Sequence, residues 1–216
     1  MHFEILIEDS SSKIAIAELF PKIIGTNHSF RTHSYKGVGK IPKNLNRDID
    51  PRKRILLEQL PRLLKGYGKA FQNLNDHTNA VIVVCDLDKK CLKDFRSELN
   101  SILDQCNPKP LTRFCIAVEE SESWFLGDIE AIKKAYPKAK VSILENYEQD
   151  SICGTWEILA NAVTSGGSKR LLENGWQKVG LEKSSWSENI TKYMDINNNN
   201  SPSFKYFKRK VLELVN

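Results

Sequence analysis

The stretch that most constrains the fold is an unbroken apolar run at residues 80–85, which leads directly into Asp86 and Asp88. A strand that is apolar on both faces must be covered on both faces, and this is typical of parallel sheets in α/β proteins. Segments with helical periodicity lie on either side of it, at residues 52–68 and 91–106. We therefore expect the chain to fold around a buried parallel sheet.

The same alternation of strand and helix patterns extends over the first 140 residues. Strand patterns lie at residues 2–8, 26–35, 80–86 and 112–118; helix patterns lie at 10–24, 52–68, 91–106 and 121–136. This order predicts an α/β fold with a mostly parallel sheet flanked by helices. After about residue 140 only helix patterns remain, at residues 154–167, 168–175, 184–196 and 201–215. We divide the chain into an α/β domain (1–140) and a helical C-terminal portion (141–216) packed on it as one compact unit.

Composition excludes several classes of protein. The five cysteines form no Cys-x-x-Cys pair, and the four histidines form no i, i+4 pair, so a zinc site is not expected. Small buried thiols in a reducing compartment are the favoured interpretation, with the cytoplasm as the expected location. No segment has the roughly 20 apolar residues that cross a bilayer, so no membrane partner is expected.

Acidic side chains follow three of the predicted strands. The first strand ends at Glu8, the third at Asp86 with Asp88, and the fourth at a group of three glutamates, Glu119, Glu120 and Glu122. Because function collects beyond the carboxyl ends of parallel strands, these carboxylates are expected to converge. Asp86 and Asp88 would share one face if both lay in extended backbone. Oxygen ligands of this kind favour Mg²⁺ or Mn²⁺.

Acids at strand ends also have a structural alternative, because they often cap the next helix. Asp9 or Ser10 could cap the helix at 10–24, and Asp88 could cap the helix at 91–106. Asp128 is interpreted as a cap, and Trp124 is favoured as core packing over a base-stacking role. Three strand ends that carry acids together favour the metal interpretation over capping alone.

A strand that ends in glutamate, a helix, and a later strand that ends in Asp-x-Asp together resemble the Toprim (topoisomerase–primase) signature. The matching pieces are "ILIEDSSSKIAIAELFPKII" and "VIVVCDLD". This resemblance implies a Toprim-like fold for the α/β domain. It also implies a general acid/base or ligand role for Glu8, and Mg²⁺ ligands at Asp86 and Asp88. The chain departs from the family pattern at Asp9, where glycine is usual.

Further pieces resemble a narrower bacterial group, the "domain of unknown function 4276" proteins. They are "HSYKGVGKIPKNL", "EESESWFLGD", "GTWEILANAV" and "SPSFKYF", and they extend the likeness over nearly the whole chain. The resemblance implies a component of mobile-element or phage-defence loci, often beside a separate ATPase. Glu122 and Trp124 are the residues of "EESESWFLGD" that are most like the family. Glu122, together with Glu119 or Glu120, is expected to bind a second ion.

Basic residues are expected to hold the phosphate backbone of a nucleic acid. The loop at residues 35–47 contains two glycines, which allow close approach to phosphate, and four basic side chains, Lys36, Lys40, Lys43 and Arg47. In the basic final helix, Ser203 and Lys205 are expected nearest the phosphate, with Lys205 stabilising the transition state. No Walker A or Gly-x-Gly-x-x-Gly motif is present, so ATP hydrolysis by this chain is not expected.

The sequence thus predicts a Mg²⁺- or Mn²⁺-dependent nuclease that acts on DNA or RNA. One alternative is a non-catalytic or partner-gated subunit that binds nucleic acid and works with a separate ATPase. Another is an enzyme that keeps the metal site but transfers a nucleotidyl or phosphoryl group. A homo-oligomer is compatible with each of these functions.

Overall fold

The computed structural model of the 216-residue chain describes residues 1–42, 50–73 and 78–215. Four strands form one sheet in the order β2-β1-β3-β4, and every neighbouring pair is parallel. They are β1 (His2–Ile7), β2 (Ser29–Ser34), β3 (Asn79–Asp86) and β4 (Thr112–Ala117). The register places Ile7 of β1 opposite Val84 of β3, and Val84 opposite Cys115 of β4. The carboxyl ends of the strands therefore lie at one edge, as the sequence predicts.

Helices surround this sheet and make up the C-terminal portion. In chain order they are α1 (Ser10–Ile24), α2 (Leu56–Asn73), α3 (Leu92–Asp104), α4 (Glu122–Leu126), α5 (Ile129–Ala135), α6 (Val141–Glu145), α7 (Thr155–Val163), α8 (Gly167–Glu173), α9 (Trp176–Thr191) and α10 (Pro202–Val215), with a 3-10 turn at Pro51–Lys53. The α/β class, the parallel sheet and the helical C-terminal portion are confirmed. None of the helices in the described part of the chain is long and apolar enough to cross a membrane.

Each face of the sheet carries its own apolar core. On one face, α2 and α3 cover side chains such as Val83 of β3 and Ile116 of β4. On the other face, α1, α4, α5 and α7–α10 cover alternate residues such as Ile5 of β1 and Val84 of β3. All eight residues of β3 are buried, because this strand is central and covered on both faces.

Two of the predicted helices differ from the structure in ways that affect the site. The helix pattern at 121–136 is divided into α4 and α5, because Gly127 packs closely on Asn199 and Asp128 starts a new helix as its N-cap. A Cβ atom on Gly127 would lie 2.2 Å from Asn199 Oδ1, so no larger residue fits. The helix predicted from residue 184 begins eight residues earlier, at Trp176, and therefore includes Lys183.

Candidate active site at the carboxyl edge of the sheet

Glu8 and Asp86 meet at the centre of the carboxyl edge, where β1 and β3 are neighbours. Glu8 follows β1, and its backbone N–H donates to Val84 O at 3.2 Å. The Glu8 side chain turns back over the next strand, and Oε2 accepts the backbone N–H of Asp86 at 2.9 Å. Asp86 is the last residue of β3 and is buried. Two carboxylates from different strands thus share one corner of the site.

Both carboxyl groups are more easily protonated than in water. Burial raises the pKa of Glu8 to about 7, with repulsion from Asp9 and Asp88 adding to it and hydrogen bonds from Asp86 and Val38 opposing it. Burial also raises the pKa of Asp86 well above its usual value, and the charges on Glu8 and Asp9 raise it further. Strongly perturbed carboxyl groups at a cleft edge are typical of functional sites.

Asp9 is the N-cap of α1, which was one of the two capping alternatives. Its Oδ1 accepts the backbone N–H of Ser12 at 2.7 Å and the hydroxyl of Ser11 at 2.9 Å. The backbone at Asp9 is extended, with φ −140° and ψ −179°. A residue with a side chain adopts this conformation without strain, so the glycine of the Toprim pattern is not needed here.

Asp88 lies outside the strand, and the expected shared face with Asp86 is wrong. The strand ends at Asp86, and Asp88 has a φ of +52°, in the left-handed region that aspartate tolerates better than most residues. Its Oδ2 pairs with Lys90 Nζ at 2.8 Å, and about half of its side chain is exposed. Asp88 does not cap α3 either, because the N-cap is Cys91 and makes no side-chain capping bond.

Glu119 is held by the backbone at the start of α7. Its carboxylate accepts N–H groups from Gly154 at 2.8 Å, Thr155 at 2.8 Å and Cys153 at 3.3 Å. Its own φ is +59°, and its carbonyl oxygen accepts the N–H of Asp88 at 2.9 Å. Asp88 and Glu119, which follow two neighbouring strands, thus both have left-handed backbone conformations and are joined by this hydrogen bond. Such strained positions persist when the surrounding contacts fix them.

Glu120 and Glu122 lie around a lysine from α9. Lys183 Nζ is 3.3 Å from Glu122 Oε2 and 3.5 Å from Glu120 Oε2, and Glu122 is completely buried. Burial raises the pKa of Glu120 to about 7 and raises that of Glu122, while Lys183 lowers both. Burial lowers the pKa of Lys183, but attraction to Glu122, Glu120 and Asp86 outweighs it and raises the pKa overall. The ammonium is therefore charged at neutral pH.

Lys183 is the site residue that sequence reasoning missed. It lies on the buried side of α9, between Val179 and Trp186, at the spacing at which residues of one helix face recur. A lysine at a position where the helix pattern calls for an apolar residue was the signal that could have identified Lys183 as a buried site residue. It was hidden because the predicted helix began at residue 184, which left Lys183 outside the periodic segment.

The glycine-containing loop lies directly beside Glu8. The N–H of Gly37 donates to the carbonyl oxygen of Glu8 at 3.0 Å, and Val38 donates to its carboxylate. Gly37 and Gly39 have positive φ angles, and a Cβ on Gly39 would lie 2.1 Å from an Ile55 methyl group. On either side of this turn, Lys36 and Lys40 are exposed. The other two predicted phosphate ligands, Lys43 and Arg47, lie outside the described residues.

The start of α10 is attached to the same edge through Asp150. This carboxylate accepts the N–H of Ser203 at 2.6 Å and the hydroxyl hydrogen of Ser201 at 2.8 Å. Asp150 lies three residues before the segment that binds Glu119. Ser203 is buried and its hydroxyl accepts the indole N–H of Trp124 at 3.0 Å, whereas Lys205 is exposed. Trp124 and Asp128 have the core-packing and capping roles that the sequence favoured.

A cavity of about 530 Å³ opens beside this edge, between α3 and α10. Its walls are largely apolar, with Leu92 and Val118 among them, and Leu92 is more exposed than its place in the helix pattern suggested. Arg96 and Tyr206 line the cavity, and the guanidinium carbon of Arg96 lies 4.3 Å from the centroid of the Tyr206 ring. Arg96 Nε is buried without a hydrogen-bond partner among the described residues. Arginine and aromatic side chains are the groups on which nucleobases commonly stack.

The carboxylates fit a hard divalent cation by their chemistry. They offer oxygen ligands only, and a bound cation would favour the charged forms of Glu8 and Asp86, which burial and mutual repulsion disfavour in its absence. In the described part of the chain, no group of three or more histidine, cysteine, aspartate or glutamate side chains forms a ready metal cage. Mg²⁺ does not require one, because it is usually held by one or two carboxylates, waters and substrate phosphates.

Comparisons with known proteins place the chain in a family. Neither the curated proteins nor the solved structures gave a match. A family model described as a domain of unknown function (DUF4276) matches residues 7–212. These residues include Lys183 and all of the site carboxylates described above. Because the match covers almost the whole chain, the protein belongs to the DUF4276 family.

Proposed function

We propose that the protein is a Mg²⁺- or Mn²⁺-dependent nuclease that cleaves phosphodiester bonds of DNA or RNA at a Toprim-like site. One observation carries this proposal: Glu8 and Asp86, at the ends of neighbouring parallel strands, are joined by a 2.9 Å hydrogen bond in a buried acidic corner. The parallel sheet supports it, because its carboxyl edge is where α/β folds bind ligands. We assign the activity to a phage-defence or mobile-element system, as the family resemblance implied.

Each residue near the corner has a role in this proposal. Glu8 and Asp86 would hold the ion, with Asp88 beside them, and an ion bound there would supply charge neutralisation at the scissile phosphate and activation of a water. In the alternative role that the sequence suggested, Glu8 would not bind the ion and would act as a general base, for which its pKa of about 7 in the metal-free protein is suited. Lys36 and Lys40 contact the flanking phosphates, and Lys205 stabilises the charge that develops on the leaving group.

The cavity beside β4 supports a nucleic-acid substrate. Adjacent strands lie about 4.8 Å apart, so the cavity is roughly two strand spacings from Glu8, within the reach of one or two nucleotides. Arg96 and Tyr206, which line the cavity, would contact a base without demanding a particular sequence. We therefore expect single-stranded nucleic acid, or an unpaired end, to be preferred over intact duplex.

A nuclease assay with purified protein tests the proposal. Plasmid, single-stranded DNA and transfer RNA are incubated with Mn²⁺, and Asp86→Asn is compared with wild type. The matched control is Asp104→Asn, an exposed acid on α3 paired with Lys109. We expect cleavage by wild type and the control and none by Asp86→Asn. Cleavage that persists in folded Asp86→Asn would exclude the assigned site.

The alternative function predicts a different result in the same assay. A partner-gated subunit would bind Mn²⁺ through Asp86 and stay silent until a separate ATPase is added. The assay is therefore repeated in the presence of a separate candidate ATPase. Activity that appears only with the partner would support gating. Activity by the isolated chain would contradict it.

A further inference from the structure

Lys183 already provides a cation at the place where a second metal ion was expected. The sequence pattern led to Glu122 with Glu119 or Glu120 as ligands of a second ion. In the structure Glu119 binds the backbone of α7, and Lys183 Nζ lies between Glu122 and Glu120, at 3.3 and 3.5 Å. The chain itself therefore places one positive charge between these two carboxylates.

The contact is electrostatic rather than a set of well-formed hydrogen bonds. Both Glu122 oxygens and Glu120 Oε2 are buried and have no hydrogen-bond partner among the described residues. The Lys183 side chain is 16% exposed, so its ammonium is mostly shielded from water. It can keep donors free for a further acceptor, because an ammonium carries three N–H groups.

We propose that Lys183 replaces the second divalent ion, so that the acidic edge binds one ion, at Glu8 and Asp86, and Lys183 faces the substrate phosphate. This inference rests on the proposed function. The ammonium already lies between the two carboxylates, so a divalent cation at the same place would have to displace it against the repulsion of two like charges. Lys183 instead supplies a permanent positive charge that needs no metal concentration to be present.

Mn²⁺ alone is the probe for the test. Bound ions are counted by isothermal titration calorimetry and by electron paramagnetic resonance of free Mn²⁺, at pH 8 without substrate. We expect wild type to bind one ion and Lys183→Met to bind two, because the freed carboxylates then need a cation. The matched control is Lys178→Met on the same helix, an exposed lysine paired with Glu182, which should still bind one.

Glu122→Gln keeps the inference testable if Lys183→Met does not fold. It retains Lys183 and the shape of the side chain, so we expect one ion with affinity within twofold of wild type. Two ions in wild type, one ion in folded Lys183→Met, or a tenfold loss in Glu122→Gln would each overturn the role of Lys183. No ion in wild type would instead overturn the metal site, and with it the proposed function.

Discussion

The side-chain oxygen of Glu8 accepts the backbone N–H of Asp86 at 2.9 Å, across two strands whose residues are 78 positions apart in the chain. This bond fixes the orientation of one carboxylate relative to the other before any ligand binds. Its consequence is a buried acidic pair whose repulsion is relieved by protons or by a cation. Stability and cation binding should therefore be coupled at this corner.

Asp86→Asn should stabilise the metal-free fold while it weakens Mn²⁺ binding. The substitution removes a carboxyl group whose charged form is disfavoured by burial and by the charge on Glu8. Unfolding in EDTA at pH 8 should therefore require more urea. Mn²⁺ affinity should fall by more than about tenfold, since even residues behind a ligand cost that much. Urea unfolding and calorimetry measure the two effects. A destabilised variant with intact Mn²⁺ binding would contradict the prediction.

Stability in EDTA should fall as pH rises from about 4.5 to 7. Glu8 and Glu120 have folded pKa values of about 7 against 4.5 in the unfolded chain, so the folded state binds more protons in this range. The stabilisation is complete below pH 4.5 and lost above pH 7, at up to about 3 kcal/mol for each group. Urea unfolding at pH 4.5, 6 and 8 measures it.

The same pH series contains its own controls. Glu8→Gln should flatten the profile because one titrating group is gone and its charge no longer raises the pKa of Asp86. Mg²⁺ should restore stability at pH 8 more than at pH 4.5, because it binds the deprotonated carboxylates. A profile that rises with pH in EDTA would show that the acidic corner is already compensated without a metal.

Glu119→Gln should destabilise the fold and leave Mn²⁺ binding nearly unchanged. The carboxylate accepts backbone N–H groups at the start of α7, and an amide keeps only one acceptor oxygen and no charge. The expected loss is about 1–2 kcal/mol, typical of a helix cap. Glu130→Gln, an exposed partner of Lys133, should cost less than about 0.5 kcal/mol. A large loss of Mn²⁺ affinity in Glu119→Gln would make Glu119 a ligand after all.

Lys205→Ala should weaken nucleic-acid binding with little effect on folding. The side chain is exposed in the first turn of α10, so the change in unfolding free energy should stay within about 0.5 kcal/mol. Loss of one phosphate contact should lower the salt dependence of binding by about one unit of slope. Fluorescence anisotropy with a labelled oligonucleotide measures this. Lys169→Ala, an exposed lysine on α8, should match wild type, and equal effects in both variants would exclude a specific contact.

The sequence was sufficient for the parallel sheet and for the positions of Glu8 and Asp86 at its carboxyl edge. Both depend on local patterns, because apolar runs and helical periodicity mark the strands and helices and acids mark where strands end. The capping role of Asp128 and the burial of Trp124 were also predictable, since each follows from the residue type and its place beside a helix. The family resemblance added the narrower group, which the match over residues 7–212 confirms.

Tertiary structure alone decided what Asp88, Glu119, Glu120 and Glu122 contact. Asp88 left the strand for a left-handed turn and paired with Lys90, and Glu119 turned to the start of α7. Lys183, some 60 residues from Glu120 and Glu122, reached them because α9 packs against α1 beside the strand ends. Such partners come from distant parts of the chain, and no local pattern encodes them. A sequence marks where charges lie along the chain, while packing determines which of them neutralise one another.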